Sequence, residues 1–516
     1  MTEAAASRAR FALLVAFVAI AITAPRLWLH ELWRDEAWVW LVAIDSGALA
    51  ELFTQLARSG QGYVYPLLCW FLSKLSHAPW LMQALNLVLV GASTWVLVRF
   101  APFRRLECLL VASGYYVFYE YAVISRHYTL GVLLTFAAAA SGAAALAPSV
   151  DARTTGRRLV VFGVALALLF QVTVYSTIIG IALAAGFVLA RGFHPGQVAP
   201  VPKRALLVAV AIAALGFVAG IAQLMPTEGT TFAVGWITGW DEAHALSVLQ
   251  APWHAFVPIT SFDTGFWNND LLAAKPDWQA LAGVAALGLA TIILWPRKLA
   301  LAIFAMGTVA MLAFGYVKYV GLTRHHAHLW LLLVAALWLD RSVSIAQPLS
   351  AARRGIGEWL LLAVLVFQSL CTAWASWIDA RAPFSNGDAT AALIRANALD
   401  AMPMLGYREP PAASVSLALG AREMYSPSHD DFRTHTDWGP LQRDLQPQEL
   451  RCAARRLAAR EGRDVLLVLN APIPHWPELQ PVAAATGAIV PTENYWLHRL
   501  VFAQLPATLP SSGCPN

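Results

Sequence analysis

The sequence predicts a polytopic α-helical membrane protein, with about eleven transmembrane helices, that ends in a C-terminal extracytoplasmic α/β domain. Three observations predict it. Of 516 residues, 58% are hydrophobic and only 13% charged, with a mean hydropathy of +0.56, whereas soluble proteins carry about 25% charged residues. Apolar segments of bilayer-spanning length, about 20 residues for the hydrocarbon core, recur along the chain. Lysine and arginine then collect in every second connection, the signature of loops kept in the cytoplasm.

The apolar segments fall at about 11–29, 80–98, 106–122, 128–147, 158–173, 174–190, 205–224, 279–295, 299–316, 325–339 and 356–378. Arg8 and Arg10 precede the first. Arg99, Arg104 and Arg105, then Arg153, Arg157 and Arg158, then Arg191, Lys203 and Arg204, then Arg297 and Lys298, then Arg341, Arg353 and Arg354 mark alternate connections. This pattern places the N-terminus inside and the C-terminus outside, provided that 63–76 does not cross. That segment holds Pro66 and Lys74 and reads as a surface helix, as does 44–56, where Leu49, Leu52, Phe53 and Leu56 share one face. Reading 63–76 as a span would turn the arginine clusters outward. A signal-peptide reading of the first segment is disfavoured by its length and by the spans that follow.

Residues 1–378 thus form the membrane module, with a first outer loop at 30–79 and a second at 225–278. The second carries Trp236, Trp240, Trp253, Trp267 and Trp278. From 379 to 516 hydropathy drops. Helices are expected at 387–399 and 449–459, and strands at 414–419, Val465–Leu469 and 495–502. The five cysteines lack metal-ligand spacing; Cys452 and Cys514 either pair in an extracytoplasmic tail or remain two free thiols. A net charge of +5, scattered between apolar runs, gives no reason to expect nucleic acid.

Three polar knots interrupt the apolar pattern, all at expected outer helix ends. The first is His30-Glu31-Leu32-Trp33-Arg34-Asp35-Glu36-Ala37-Trp38. Adjacent carboxylates repel, so one stays ionised while the other is raised in pKa or neutralised by a cation. An ionised Asp35 suits general-base work; a polar turn after a helix is the plainer alternative. The second knot is Tyr119-Glu120-Tyr121 with Ser125-Arg126-His127-Tyr128, either a functional cluster or an Arg–Glu pair that fixes helix packing. The third is Lys318-Tyr319 with Arg324-His325-His326 and His328, either an anion site or cations snorkelling to the interface. Together they suit a reaction in which a hydroxyl displaces phosphate from a sugar. Phosphate departs without a general acid, so one base and several cations suffice, unlike glycoside hydrolysis with its two carboxyl groups.

Arg34-Asp35-Glu36-Ala37-Trp38 resembles the acidic motif in the first loop of GT-C glycosyltransferases, among them protein O-mannosyltransferases and lipid A aminoarabinose transferases. Ser125-Arg126-His127-Tyr128 is similar to their Arg-x-Tyr element, with a weaker echo near 318–341. The motif-level likeness covers about 30–130 and the topological likeness extends to about 378. The resemblance implies an inverting transferase of a bacterial inner membrane, N-terminus cytoplasmic and C-terminal domain periplasmic. It would move a sugar from a polyprenyl-phosphate carrier, among membrane lipids, to a hydroxyl or amine of a lipid, glycan or protein. It implies Asp35 as base, Glu36 as its support or as partner in holding a divalent cation (magnesium or manganese), and Arg126, Lys318 and Arg324 on the donor phosphate. Arg34, Trp38, Tyr65, Glu120, His127, Tyr128 and His325 are the substrate-binding positions it suggests. One departure stands out: relatives carry His-Pro-Pro or Lys-Pro-Pro before the second surface helix, where this chain has Tyr63-Val64-Tyr65-Pro66. The rivals are a transporter or flippase of lipid-linked glycans and a non-catalytic scaffold. Transporters favour internal repeats and midplane polar groups, whereas here only Gln171 approaches the interior; the intact Asp35-Glu36 pair argues against a scaffold.

Overall fold

A computed structural model describes residues 3–148, 151–225, 227–231, 235–344 and 351–505. The chain opens with α1 (Glu3–Leu29), followed by three short helices, α2 (Arg34–Asp45), α3 (Leu49–Ala57) and α4 (Val64–Ser73). Then come α5 (Trp80–Phe100), α6 (Arg105–Ala112) with a π-helical turn at Tyr116–Glu120, α7 (His127–Leu146), α8 (Ala152–Leu169), α9 (Val174–Phe193) and α10 (Lys203–Leu224). Short helices α11 (Glu242–Leu249) and α12 (Ala251–Phe256) lead to α13 (Pro276–Leu294), α14 (Lys298–Val317), α15 (Thr323–Val343) and α16 (Ala351–Asp379).

Among the described residues, eight helices are long and apolar enough to cross a membrane: α1, α5, α7, α9, α10, α13, α14 and α16 in the regions given above. The other three expected spans are helical but depart from that standard for physical reasons. The segment 106–122 breaks after α6 at Ser113-Gly114 and continues as the π turn. Arg153, Arg157 and Arg158 occupy the first two turns of α8. In α15, Arg324 and three histidines crowd one end while Asp340 and Arg341 sit near the other. Yet α15 is apolar on every side between those ends and is buried against α7, α9, α12 and α14, as an all-round hydrophobic helix must be.

The first loop differs from its expectation. Instead of one helix over 44–56, Ile44 and Asp45 finish α2, the chain turns extended at Ser46, and α3 starts afresh at Leu49. Gly62, just before α4, lies so close to α8's exit that a Cβ there would fall 1.9 Å from the Gln171 carbonyl oxygen.

After α16 come α17 (Gly387–Ala396), β1 (Met404–Tyr407), α18 (Glu409–Ala418), β2 (Met424–Ser426), β3 (Asp431–Arg433), α19 (Pro447–Glu461), β4 (Val465–Leu469), β5 (Leu479–Ala485) and β6 (Tyr495–Leu500). The six strands form one sheet in the order β3-β2-β1-β4-β6-β5. β1 runs parallel to β2 and β4, and the remaining pairs are antiparallel. The expected strand at 414–419 is corrected to helix α18. Pro410 and Pro411 start it, and the alternation of Ser414, Val415, Ser416 and Leu417 imitates a strand because the serines are buried too, one bonding Glu493 and the other the Arg422 carbonyl. The expected Cys452–Cys514 pairing involves Cys514, which lies outside the described residues.

The sheet domain packs directly on the first loop. α18 lies on α2, the Trp38 indole N–H donates to the Thr436 carbonyl at 2.8 Å, and Arg58 pairs with Asp437 at 2.6 Å. That end of the helix bundle, which carries α2–α4 and the sheet domain, is called the domain-bearing end below.

Candidate active site at the domain-bearing end

The site begins with the first turn of α2. Carboxylates are favoured at a helix N-terminus by the aligned peptide dipoles, and Asp35 and Glu36 occupy that turn. Neighbouring residues on an α-helix point about 100° apart, so the doublet divides. The Asp35 side chain keeps 24% exposure, whereas that of Glu36 has none. Asp35 Oδ2 accepts a hydrogen bond from Arg126 Nη1 at 2.6 Å and faces Arg324 Nη2 at 3.6 Å; Arg34 Nε lies 3.8 Å from Oδ1. Partial burial pushes the Asp35 carboxyl upward, but the three guanidinium groups outweigh it and hold the pKa below its ordinary value. Asp35 is therefore an ionised carboxylate.

Arg126 comes from the residue preceding α7, and Arg324 from the first turn of α15. Aromatic rings frame both. The Arg324 guanidinium lies over Trp33 (5.4 Å) and Trp267 (5.8 Å), and Arg126 lies over Tyr128 (5.4 Å). His325 Nδ1 accepts the Leu322 N–H at 2.9 Å, so Nε2 carries the proton of the neutral ring and donates it to the Tyr128 oxygen at 3.0 Å. The Tyr128 proton is thus left to donate elsewhere. Around this cluster, Arg126 Nε, Arg324 Nε, Trp33 Nε1 and Ser125 Oγ are buried with no hydrogen-bond partner. Buried donors are normally matched, so this collection is suited to an anion with several acceptor oxygens.

The other expected positions sort as follows. His127 is buried against Tyr128, ring centroids 4.2 Å apart. Glu120 accepts from Tyr115 and from the Trp267 indole, each at 3.0 Å. Trp38 points to the sheet domain through Thr436, and Arg34 reaches Thr492 there at 3.4 Å. Of the three cations expected on the phosphate, Arg126 and Arg324 converge on Asp35, whereas the Lys318 ammonium lies over the Trp236 ring at 5.1 Å.

Glu36 has neighbours of another kind. His30 Nε2 lies 3.2 Å from Glu36 Oε2, and His30 Nδ1 lies 3.2 Å from Asp379 Oδ2 at the end of α16. The N–H groups of Trp33 (3.3 Å) and Ser125 (2.5 Å) donate to the same carboxylate. The doublet does not fit a divalent cation: Glu36 is spent on His30 and two backbone amides, Asp35 on arginines, and a hard cation wants several free oxygens. Among the described residues no group of three or more His, Cys, Asp or Glu is placed to hold a metal.

Sequence reasoning assigned no role to His30 and Asp379, and named Trp267 only as one of the tryptophans of the second loop. Trp267 enters from the second loop, which is tied down by His254: its Nε2 pairs with Asp270 at 2.7 Å and its Nδ1 meets His326 Nδ1, two residues after Arg324, at 3.1 Å. An isolated Trp in a Trp-rich loop carries no signal of this. His30 stood in the first knot, and its place directly after a spanning helix was the only available hint.

Fold and site together define a multi-pass membrane protein whose enclosed, cation-rich site is built from helix ends and roofed by a small sheet domain. Two solved structures can be set beside it. ArnT from Cupriavidus metallidurans in the apo state aligns with a TM-score of 0.53 at 12% identity, covering 98% of this chain and 100% of that one. The same protein bound to undecaprenyl phosphate aligns with a TM-score of 0.49 at 12% identity, covering 98% and 99%. At this identity the likeness is one of fold, and the apo structure carries it: the chain shares the overall fold of that structure. Neither protein-family profiles nor curated protein sequences give a match.

Proposed function

We propose that this protein is a membrane glycosyltransferase that moves a sugar from a polyprenyl-phosphate carrier to an acceptor hydroxyl or amine on the extracytoplasmic face of a bacterial inner membrane. The observation that carries the reading is the ionised Asp35 between two guanidinium groups, ringed by buried donors that lack partners. The alternation of basic loops supports the orientation, with the N-terminus cytoplasmic and the sheet domain periplasmic.

In this reading Arg126 and Arg324 bind the donor phosphate, each with an unmatched buried Nε to offer it. Trp33 and Trp267 shield the site from water. Phosphate oxygens arriving at the guanidiniums weaken their hold on Asp35, which raises its basicity at the moment the donor is present. Asp35 then takes the acceptor proton as the acceptor oxygen or nitrogen attacks the anomeric carbon, and phosphate leaves with the C–O bonding electrons. A single displacement inverts the anomeric centre. No proton donor to the leaving group is needed. Tyr65 stands where relatives carry a basic residue, and its buried hydroxyl offers a neutral donor in place of a cation.

The test uses purified full-length protein in nanodiscs with a pool of radiolabelled polyprenyl-phosphate sugars. Asp35→Asn should lose transfer while still binding undecaprenyl phosphate. Full transfer by Asp35→Asn would remove Asp35 from the mechanism.

A further inference from the structure

The second carboxylate of the doublet has a separate task, and its surroundings state it. Glu36 Oε1 accepts the Ser125 N–H, and Ser125 immediately precedes Arg126. Glu36 Oε2 accepts the Trp33 N–H, two residues before Asp35. One enclosed carboxylate therefore bonds the backbones of both segments whose side chains meet in the Asp35–Arg126 ion pair.

His30 completes the arrangement. Its two ring nitrogens face two carboxylates, Glu36 on one side and Asp379 on the other, each at 3.2 Å. Each nitrogen has a carboxylate oxygen as its acceptor, a geometry that matches a ring protonated on both nitrogens, an imidazolium. Burial opposes that charge, but Asp379 and Glu36 overcome it and raise the His30 pKa to about 10. The titratable and charged groups facing this trio are Glu31 beside His30, Tyr65 of α4 beside Glu36, and Arg26 and Tyr119 beside Asp379. The imidazole also rests on the Phe384 ring at 4.4 Å, and the Phe384 N–H donates to Glu31 at 2.9 Å.

We infer that Glu36 is a positioning residue rather than a base or a metal ligand: with the His30 imidazolium and Asp379 it clasps the exit of α1, the first turn of α2, the turn before α7 and the end of α16. This sets the separation and angle of Asp35 and Arg126. The inference rests on the transferase reading above. It assigns the two neighbouring acids different work, one facing the substrate and the other facing only protein. Losing the Glu36 charge strands a buried imidazolium and leaves two amides competing for what remains, so the turn carrying Arg126 shifts.

The experiment measures binding of undecaprenyl phosphate to full-length protein in nanodiscs, alongside ¹⁵N spectra of the histidine rings. Glu36→Gln keeps the side-chain shape, so in buffer containing a chelator, where no divalent cation can bridge protein and phosphate, a base replaced in this way would leave phosphate affinity unchanged. The clasp predicts instead that affinity falls about tenfold, the scale of a buried hydrogen bond left unmatched. It also predicts that wild-type His30, identified by its loss in His30→Gln, stays doubly protonated about two pH units above the ordinary histidine pKa, and that Glu36→Gln abolishes this. Asp379→Asn, on the far side of the ring, should lower the pH at which His30 loses its second proton. Wild-type affinity in Glu36→Gln, or a neutral His30 in the wild-type protein at that pH, overturns the clasp. The second result needs no variant to fold. Loss of phosphate binding in Arg126→Ala without loss in Glu36→Gln sinks the clasp alone; equal binding by wild type and Arg126→Ala sinks the transferase reading and the clasp with it.

Discussion

Two clusters of ion pairs, one at each end of the helix bundle, match their charges differently. At the end remote from the sheet domain, Asp340 pairs with Arg297 at 3.3 Å and Glu107 with Arg341 at 2.8 Å, one carboxylate for each guanidinium, with His194 3.8 Å from Asp340. At the domain-bearing end, Asp35 alone meets Arg126, Arg324 and Arg34. Three guanidiniums share this one carboxylate, and the next acid, Glu120, lies near Arg324 and Arg126 but takes its hydrogen bonds from Tyr115 and Trp267. The remote pairs are matched and tie helices together. The Asp35 cluster is short of an anion and keeps unpartnered donors in hand, which is a poor way to stabilise a fold and a good way to receive a phosphate.

That contrast can be broken most forcefully at Asp35. Asp35→Asn should lower sugar transfer by about 10²–10⁴, the usual contribution of a general base, whereas Arg297→Ala at the remote end should leave transfer intact; comparable loss in both erases the distinction. Next in size, Arg324→Ala should weaken undecaprenyl phosphate binding by about 10–100-fold, as expected for a charge-assisted contact of about 1.5–3 kcal/mol, and the loss should shrink as salt screens the site. Titration calorimetry or a filter assay reads it. A smaller effect belongs to Arg297→Ala, whose partly buried pair with Asp340 should lower the melting temperature with no change in phosphate affinity.

The smallest effect sharpens the comparison through the sheet domain. Glu493 is buried, and burial pushes its carboxyl up from 4.5 to about 7, despite hydrogen bonds from Tyr495, Ser414 and Ser385 and the charge of Arg34. The folded state therefore holds this proton more tightly than the unfolded chain. Its stabilising contribution is complete below about pH 4.5 and is lost as pH rises to about 7. The domain should melt at a lower temperature at pH 8 than at pH 5, and Glu493→Gln should flatten that slope. An unchanged slope in the variant would show that another group sets it.

The parts of this architecture legible in the sequence are those where lipid makes polarity expensive. Asp35, Arg126 and Arg324 stood out because charged residues next to apolar runs demand partners. The same logic overreached at Lys318, which meets Trp236, since a basic residue at a helix end has an aromatic belt as an equally good neighbour. It was silent on His30 and Asp379, which join across 349 positions, because no local pattern encodes such a meeting. The helix misread as a strand at 414–419 failed for a related reason: period-two polarity marks a strand only when the polar residues face water, and Ser414 and Ser416 do not.

The sheet domain's grip on the first loop has a consequence for how the molecule is made. Trp38 bonds Thr436 across 398 positions and Arg34 meets Thr492 across 458, so the loop bearing Asp35 leaves the ribosome long before its roof exists. Domains fold in the order they are synthesised. The newborn protein must therefore hold its acidic loop at the membrane surface, half assembled, until nearly the last strand has been translated, and a chain stalled before that point carries Asp35 with nothing above it.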